Sequence, residues 1–272
     1  MKASESNPNY PSKVREMTNY TIREIKKVCK DIGPRPSGEE NERKAQDYVA
    51  DSMSKVADSV VKEKFELHPK AFMGWVPLDV ILMTISIVLT LLSYFDVLPS
   101  ASTAFSVVSV VLTSLAIIFT FFEFLLYKKF LDPFFPKRET YNVVCTRKAA
   151  GETKRRIVFS GHIDSAYEWY FTHLGGGKLL TTMIALAFGA IAITLAASIV
   201  SFFDVPNGVR VTAIVVLFVC LIPILMCSKF VNWKLCVPGA NDNLTGVFAS
   251  MSVLRYMAAN DIRFENTEVV CV

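Results

Sequence analysis

Two short segments of this chain hold the residues best placed to do chemistry. The first, Ile157-Val158-Phe159-Ser160-Gly161-His162-Ile163-Asp164-Ser165, runs an apolar strand straight into His-x-Asp. Residues two apart on an extended chain share a side, so His162 and Asp164 point the same way at the strand's carboxyl end. An α/β sheet usually holds its ligands there. A neutral imidazole is a good zinc ligand, and a neighbouring carboxylate can accept the proton on the other ring nitrogen, fixing tautomer and basicity. A His and an Asp near a strand end also occur as plain loop residues. The second segment, Val237-Pro238-Gly239-Ala240-Asn241-Asp242-Asn243-Leu244-Thr245-Gly246, turns on Pro and Gly into a helix. Asp242 is there either a carboxylate presented rigidly from a helix amino end or, like Asn243, an ordinary N-cap.

Other polar groups point elsewhere. His173 and Gly175-Gly176-Gly177 precede an apolar span, which suits a flexible lead-in better than a phosphate loop. Glu123 lies in a span within reach of the interface near Lys128, as a snorkelling side chain would. His68 before Pro69 reads as a surface loop residue, and Cys220 and Cys227 as apolar packing.

The elements that must position the two segments are legible from periodicity. Positions 14–30 form a helix with Ile22, Ile25 and Cys29 at helical spacing, broken by Gly33-Pro34-Arg35-Pro36-Ser37-Gly38. Ser37, followed by Glu39 and Glu40, opens a second helix to about Ala57, with Ala45, Val49 and Met53 on one side. Positions 60–67 alternate as a strand, with Val61, Phe65 and Leu67 sharing a face. Positions 141–146, 157–160 and 267–272 read as further strands, and 244–259 as a helix striped with Leu244, Val247, Phe248, Met251 and Leu254. Strands alternating with helices imply a mostly parallel or mixed sheet covered by helices.

Between these polar segments lie four apolar stretches, 78–97, 104–127, 179–203 and 211–227, each near the length that crosses a bilayer as helix and without an evident polar face. Breaker-rich turns at 98–102 and 204–208 fold them into two transmembrane hairpins. With 52% apolar residues the chain is too hydrophobic for an ordinary soluble domain. Hairpins return the chain to the side it left, so the polar segments share one face. Lys70, Lys128, Lys129, Lys137, Arg138, Lys178, Lys229 and Lys234 flank the spans on that side, against Arg210 alone on the other, which makes that face cytoplasmic. Six cysteines behind a polar amino-terminal stretch argue for reduced thiols and against a disulfide framework. A net charge of +4 spread through the polar segments argues against nucleic-acid binding.

Gly161-His162-Ile163-Asp164-Ser165, followed by Pro238-Gly239-Ala240-Asn241-Asp242-Asn243 and an apolar helix, resembles the co-catalytic two-zinc aminopeptidases, the family that also contains glutamate carboxypeptidase and glutaminyl cyclase. Gly33 to Gly38 and Tyr141-Asn142-Val143-Val144-Cys145 are similar to other parts of that family's pattern, and the four spans are not. The resemblance implies that His162 binds one zinc, that Asp164 holds His162, and that Asp242 bridges two Zn2+ ions. Such a pair of ions activates a water for amide hydrolysis. The family places a pair of glutamates after a strand like 267–272, one of them the general base, and an Asp and a His ligand later. Those positions are absent from this sequence, and Glu268, inside the strand, does not replace them.

The expectation is therefore an α/β fold, a mixed sheet flanked by helices and zinc-peptidase-like, split by two transmembrane hairpins. Its segments are 1–70, 131–178 and 229–272 for the sheet domain and 71–130 and 179–228 for the hairpins. The expected function is a membrane-anchored zinc exopeptidase acting on peptides with a free amino terminus, with membrane lipid as the other partner and with this chain inactive alone. Cyclase or deacylase chemistry on the same metals, or a catalytically dead scaffold or membrane interaction module, stand as alternatives. Oligomeric state and side-chain preference are not encoded in these features.

Overall fold

The structure is a computed structural model and describes residues 10–272. Helices α1 (Tyr10–Asp31) and α2 (Glu40–Met53) precede strand β1 (Ser59–Leu67). Long helices α3 (Val76–Tyr94) and α4 (Ser102–Phe119) follow, then strands β2 (Arg138–Arg147), β3 (Arg155–Phe159) and β4 (Tyr167–Trp169). Helices α5 (Tyr170–Val200) and α6 (Asn207–Cys227) lead to β5 (Val231–Cys236), helix α7 (Thr245–Ala259) and β6 (Thr267–Cys271). The chain divides into two compact units. One takes the described residues up to Leu67 with Lys137–Tyr167 and Lys234–Val272, and the other takes His68–Pro136 with Glu168–Trp233.

The first unit is built on a mixed four-stranded sheet in the order β1-β2-β6-β3. β1 runs antiparallel to β2 and β2 to β6, while β3 lies parallel to β6. Helices α1, α2 and α7 bury Tyr20, Val28, Ala45, Val49, Met53, Phe248, Met251 and Leu254 with Val143, Cys145 and Val269 of the sheet. The stripes expected on α2 and α7 are the buried ones. On α1 the buried positions are Tyr20, Glu24 and Val28. Ile22 is exposed, and only Ile25 and Cys29 of the expected set pack against the core. Glu24 hid this face from the sequence, because it is a carboxylate on the buried side that accepts hydrogen bonds from Arg23 and Tyr48. On β1 the register pairs Val60 with Cys145 and turns it to the core, whereas Val61 and Phe65 share the exposed face. β4 and β5, paired with each other, were not expected from the sequence.

The second unit contains four helices long and apolar enough to cross a membrane, over Ala71–Tyr94, Pro99–Leu125, Tyr170–Val200 and Asn207–Cys227. Gly175 and Gly176 leave helical geometry and kink α5, and Gly176 adopts a φ of 63°, which a residue without a β-carbon tolerates. The expectation that these segments lack a polar face is corrected by the packing. Ser86, Thr90 and Ser93 on α3 meet Ser106, Ser109 and Thr113 on α4, all buried. Ser86 Oγ lies 2.6 Å from both Ser109 Oγ and Thr113 Oγ1, and Thr90 Oγ1 lies 2.6 Å from Ser109 Oγ and 2.8 Å from Ser198 Oγ of α5. Spaced by three or four residues within runs of Val, Ile and Leu, these hydroxyls vanish in an average hydropathy. They join helices that have no hydrophobic incentive to associate in lipid. Glu123 departs from the snorkelling reading too. It is buried in a π-helical turn, Thr120–Leu125, and its Oε1 accepts the Leu131 amide at 2.6 Å.

Candidate functional site

β3 ends at Phe159, and its last residues are pinned beside β6. The Val272 amide donates to the Phe159 carbonyl at 2.9 Å and the Gly161 amide to the Val272 carbonyl at 3.0 Å. Gly161 then passes so close to α7 that a β-carbon there would sit 2.4 Å from the Val247 nitrogen. The chain is thereby set to present His162 from the strand's carboxyl end. His162 Nδ1 lies 3.1 Å from Asp164 Oδ1, and Ser37 Oγ donates to Asp164 Oδ2 at 2.5 Å. The imidazole consequently turns Nε2 outward, where it lies 3.1 Å from Asp242 Oδ1. The structure brings His162, Asp164 and Asp242 together, the three residues on which the expected chemistry rests.

The question whether Asp242 or Asn243 serves the following helix has an answer in the geometry. Asn243 Oδ1 accepts the Gly246 amide at 3.0 Å, which satisfies one of the first free donors of α7. Asp242 is free of that task, and its side chain is largely exposed and directed at His162. The peptide bond between the two is cis. Ser37, expected at the start of α2, is instead engaged with Asp164. Glu42 serves the helix start by accepting the Gly38 amide at 2.7 Å.

Electrostatics follow the contacts. The hydrogen bond to Asp164 raises the His162 pKa above its ordinary value, against the opposing effect of burial. For Asp164, burial pushes the carboxyl up, but the hydrogen bonds from His162 and Ser37 outweigh it and leave the group below its usual value.

Several residues that support the site carried no clear signal. Arg35 is wholly buried, and its Nε donates to the Ile163 carbonyl at 2.8 Å and its Nη1 to the Gly33 carbonyl at 2.7 Å. Nη2 reaches the Gly239 carbonyl at 3.5 Å, so one guanidinium ties the opening segment to both site loops. Its only signal was a cation set between two prolines. Cys236 Sγ lies 3.3 Å from Ser165 Oγ, and burial pushes its thiol pKa up. His162, Asp164 and Asn243 border a pocket of about 400 Å³ that is also lined by the buried Glu42 and Gln46 of α2. Burial raises the Glu42 pKa although Thr140 and the Gly38 amide donate to it, and Gln46 Oε1 has no partner. Two polar residues four apart beside Ala45 and Val49 were the available hint.

The remaining polar candidates lie apart. His68 Nδ1 is 2.7 Å from the Phe135 carbonyl oxygen, His173 is 3.5 Å from Glu168, and Glu268 pairs with Arg156 across the β3–β6 ladder. The donor set can be tested against zinc directly. A zinc site takes three or four protein donors, and His162 Nε2 with Asp242 Oδ1 supplies two. Among the described residues no three His, Cys, Asp or Glu side chains converge to hold a metal. Asp164 is occupied with His162 and Ser37. The residues present thus supply two of the donors a zinc site needs and do not complete one. No family model matches the chain, and neither does any curated protein or solved structure.

Proposed function

We propose that this chain carries half of a co-catalytic zinc centre of the aminopeptidase type, on a zinc-peptidase-like unit held at a membrane by its four long helices. The observation that supports it is the relay Ser37 to Asp164 to His162, which aims Nε2 at Asp242 from a separate loop. A carboxylate that fixes an imidazole through Nδ1 is how metal-binding histidines are commonly oriented. In this reading His162 and Asp242 are metal donors, Asp164 positions His162, and the substrate is a peptide with a free amino terminus. The other donors and the general base come from residues other than these three, so these three side chains do not by themselves make a hydrolase. The distribution of lysines supports a cytoplasmic sheet unit.

Metal titration of the purified chain against a chelator tests this. Expected is weak zinc binding that His162→Ala or Asp242→Ala abolishes and Asp164→Asn weakens, by about 10- to 100-fold if it acts as such orienting carboxylates do. Aminoacyl anilides should not be hydrolysed. Tight zinc that survives His162→Ala would contradict the donor assignment. The two-donor count also favours a second reading, a membrane interaction module on the same scaffold. Zinc binding undetectable even at millimolar metal would decide for that one.

A further inference from the structure

The helical unit contains a cavity of about 70 Å³ that the candidate zinc site does not use. Its wall is apolar apart from the carboxyl group of Asp79 and the hydroxyl of Thr120. Thr120 Oγ1 donates to Asp79 Oδ2 at 2.7 Å, and Asp79 Oδ1 has no partner although the residue is only 6% exposed. No lysine, arginine or histidine is among the described residues that line the cavity. Four rings line it, Phe230 and three that touch in series, Trp75 with Phe124 at 6.2 Å between centroids and Phe124 with Phe188 at 6.1 Å. The Trp75 indole N–H is already committed to the Phe72 carbonyl, so the ring contributes its π face and edge only.

A buried carboxylate without a counter-charge is costly, and aromatic faces attract cations. Together they recognise an ammonium group. Size narrows the class. A water occupies roughly 10–15 Å³ by this kind of measure, so the space takes about five heavy atoms, the number in a tetramethylammonium ion. Position narrows it further, because Asp79 lies in the first turn of α3 just after Trp75, within the first half of the Ala71–Tyr94 span and on the side of its amino-terminal end, where interfacial aromatics settle. An amphiphile with its head at the interface reaches that level of the bilayer.

We infer that the Asp79 cavity is a binding site for a small alkylammonium group, held by the carboxylate and the three rings. The site is independent of zinc and of peptide hydrolysis. Its ligand is either the head group of an ethanolamine or choline lipid or a free small amine, and the test separates them. The purified chain in an uncharged detergent is titrated calorimetrically with tetramethylammonium chloride and with dodecyltrimethylammonium below its micellar concentration, with dodecyl sulfate as control. Expected is saturable binding of the cations alone, weakened at least about tenfold by Asp79→Asn, as loss of a charged partner implies, and unchanged by His162→Ala. Phe124→Leu and Phe188→Leu, which keep the carboxylate and the apolar character of the wall, should weaken it severalfold. They serve if the Asp79 variant misfolds. Native mass spectrometry from nanodiscs of mixed ethanolamine and choline lipids then assigns the source. Lipid retained by the parent and lost in Asp79→Asn identifies a head group, whereas tetramethylammonium binding without retained lipid identifies a free amine. Equal affinity for dodecyl sulfate, or undiminished binding in Asp79→Asn, overturns the assignment.

Discussion

Arg35 is the residue on which the geometry of the candidate site turns. A guanidinium removed from water keeps its charge and must be matched by acceptors, and here the acceptors are carbonyls of Gly33, Ile163 and Gly239. Arg35→Met leaves those carbonyls bare and should cost on the order of 3 kcal/mol. Lysine cannot reproduce the planar fork, so Arg35→Lys should recover little of it. Amide exchange of the 163–166 and 239–243 loops checks this, and unchanged protection in both variants would refute the clamp. Gly239 carries a related constraint. Its φ is +62°, and a β-carbon would sit 2.6 Å from Ser165 Cβ and 2.8 Å from the Asp242 carbonyl oxygen. Gly239→Ala should therefore destabilise the unit by roughly 1–3 kcal/mol and lower metal affinity with it, measured by denaturation and zinc titration side by side. At this scale the sequence disclosed His162, Asp164 and Asp242 because residue type and spacing alone suggest them. The contacts of Arg35 with Ile163 and Gly239 and of Ser37 with Asp164 stayed hidden because these partners lie 127 to 204 positions away along the chain.

Elements of the sheet unit are joined at their ends by a charged link that periodicity does not reveal. Asp58, after α2, pairs with Arg263, after α7, through Oδ1 to Nη2 at 2.6 Å and Oδ2 to Nη1 at 2.7 Å, and Oδ2 also accepts the Lys148 amide. The Arg263 hydrogen bonds hold the Asp58 pKa down at about 2, against roughly 3.9 in an unfolded chain. A depressed carboxyl pKa contributes stability that is present above the unfolded value and lost as pH falls through the folded one. The parent should therefore lose stability between about pH 4 and pH 2 through this group. Asp58→Asn should remove that part of the slope while lowering stability at neutral pH, as denaturant midpoints across the range will show. The helices of the other unit are bound by hydroxyls instead. Ser109→Ala removes contacts to Ser86, Thr90 and Ser198 together, and at roughly 0.6 kcal/mol per interhelical bond should cost about 1–2 kcal/mol, read by unfolding in mixed micelles. Which elements were legible follows from the same physics. Helix α7 buries one serine, Ser250, among five apolar residues and could be read directly, whereas α1 buries Glu24 between Tyr20 and Val28 and α3 buries Asp79, Ser86, Thr90 and Ser93, so polarity and burial disagree there. β5 escaped notice because Val231–Cys236 is short and none of its residues is fully buried.

At the scale of the whole molecule, connectivity constrains sidedness more tightly than any single contact. The chain leaves the sheet unit twice and each time passes through two helices long and apolar enough to cross a membrane before returning, so four crossings would leave all sheet segments on one side. The turns between paired helices, around 95–98 and 201–206, would then lie on the other side and carry no lysine or arginine, with Arg210 in the first turn of α6 the one cation near them. The opposite ends carry Lys70, Lys128, Lys129, Lys137, Lys178 and Lys229. Because lysine and arginine near span ends are retained on the cytoplasmic side, a cysteine introduced at Ser100 or Asn207 in a cysteine-free background should react with an impermeant maleimide on intact cells. One at Glu152 should react only after lysis. Labelling of Glu152 on intact cells with protection of the other two would put the sheet unit outside and leave the helical hairpins intact. Labelling of all three alike, together with release of the chain by alkaline carbonate, would mean that the four apolar helices do not cross a bilayer. The lysine bias would then be an ordinary solvated surface, and the ammonium cavity would have to be reached from water.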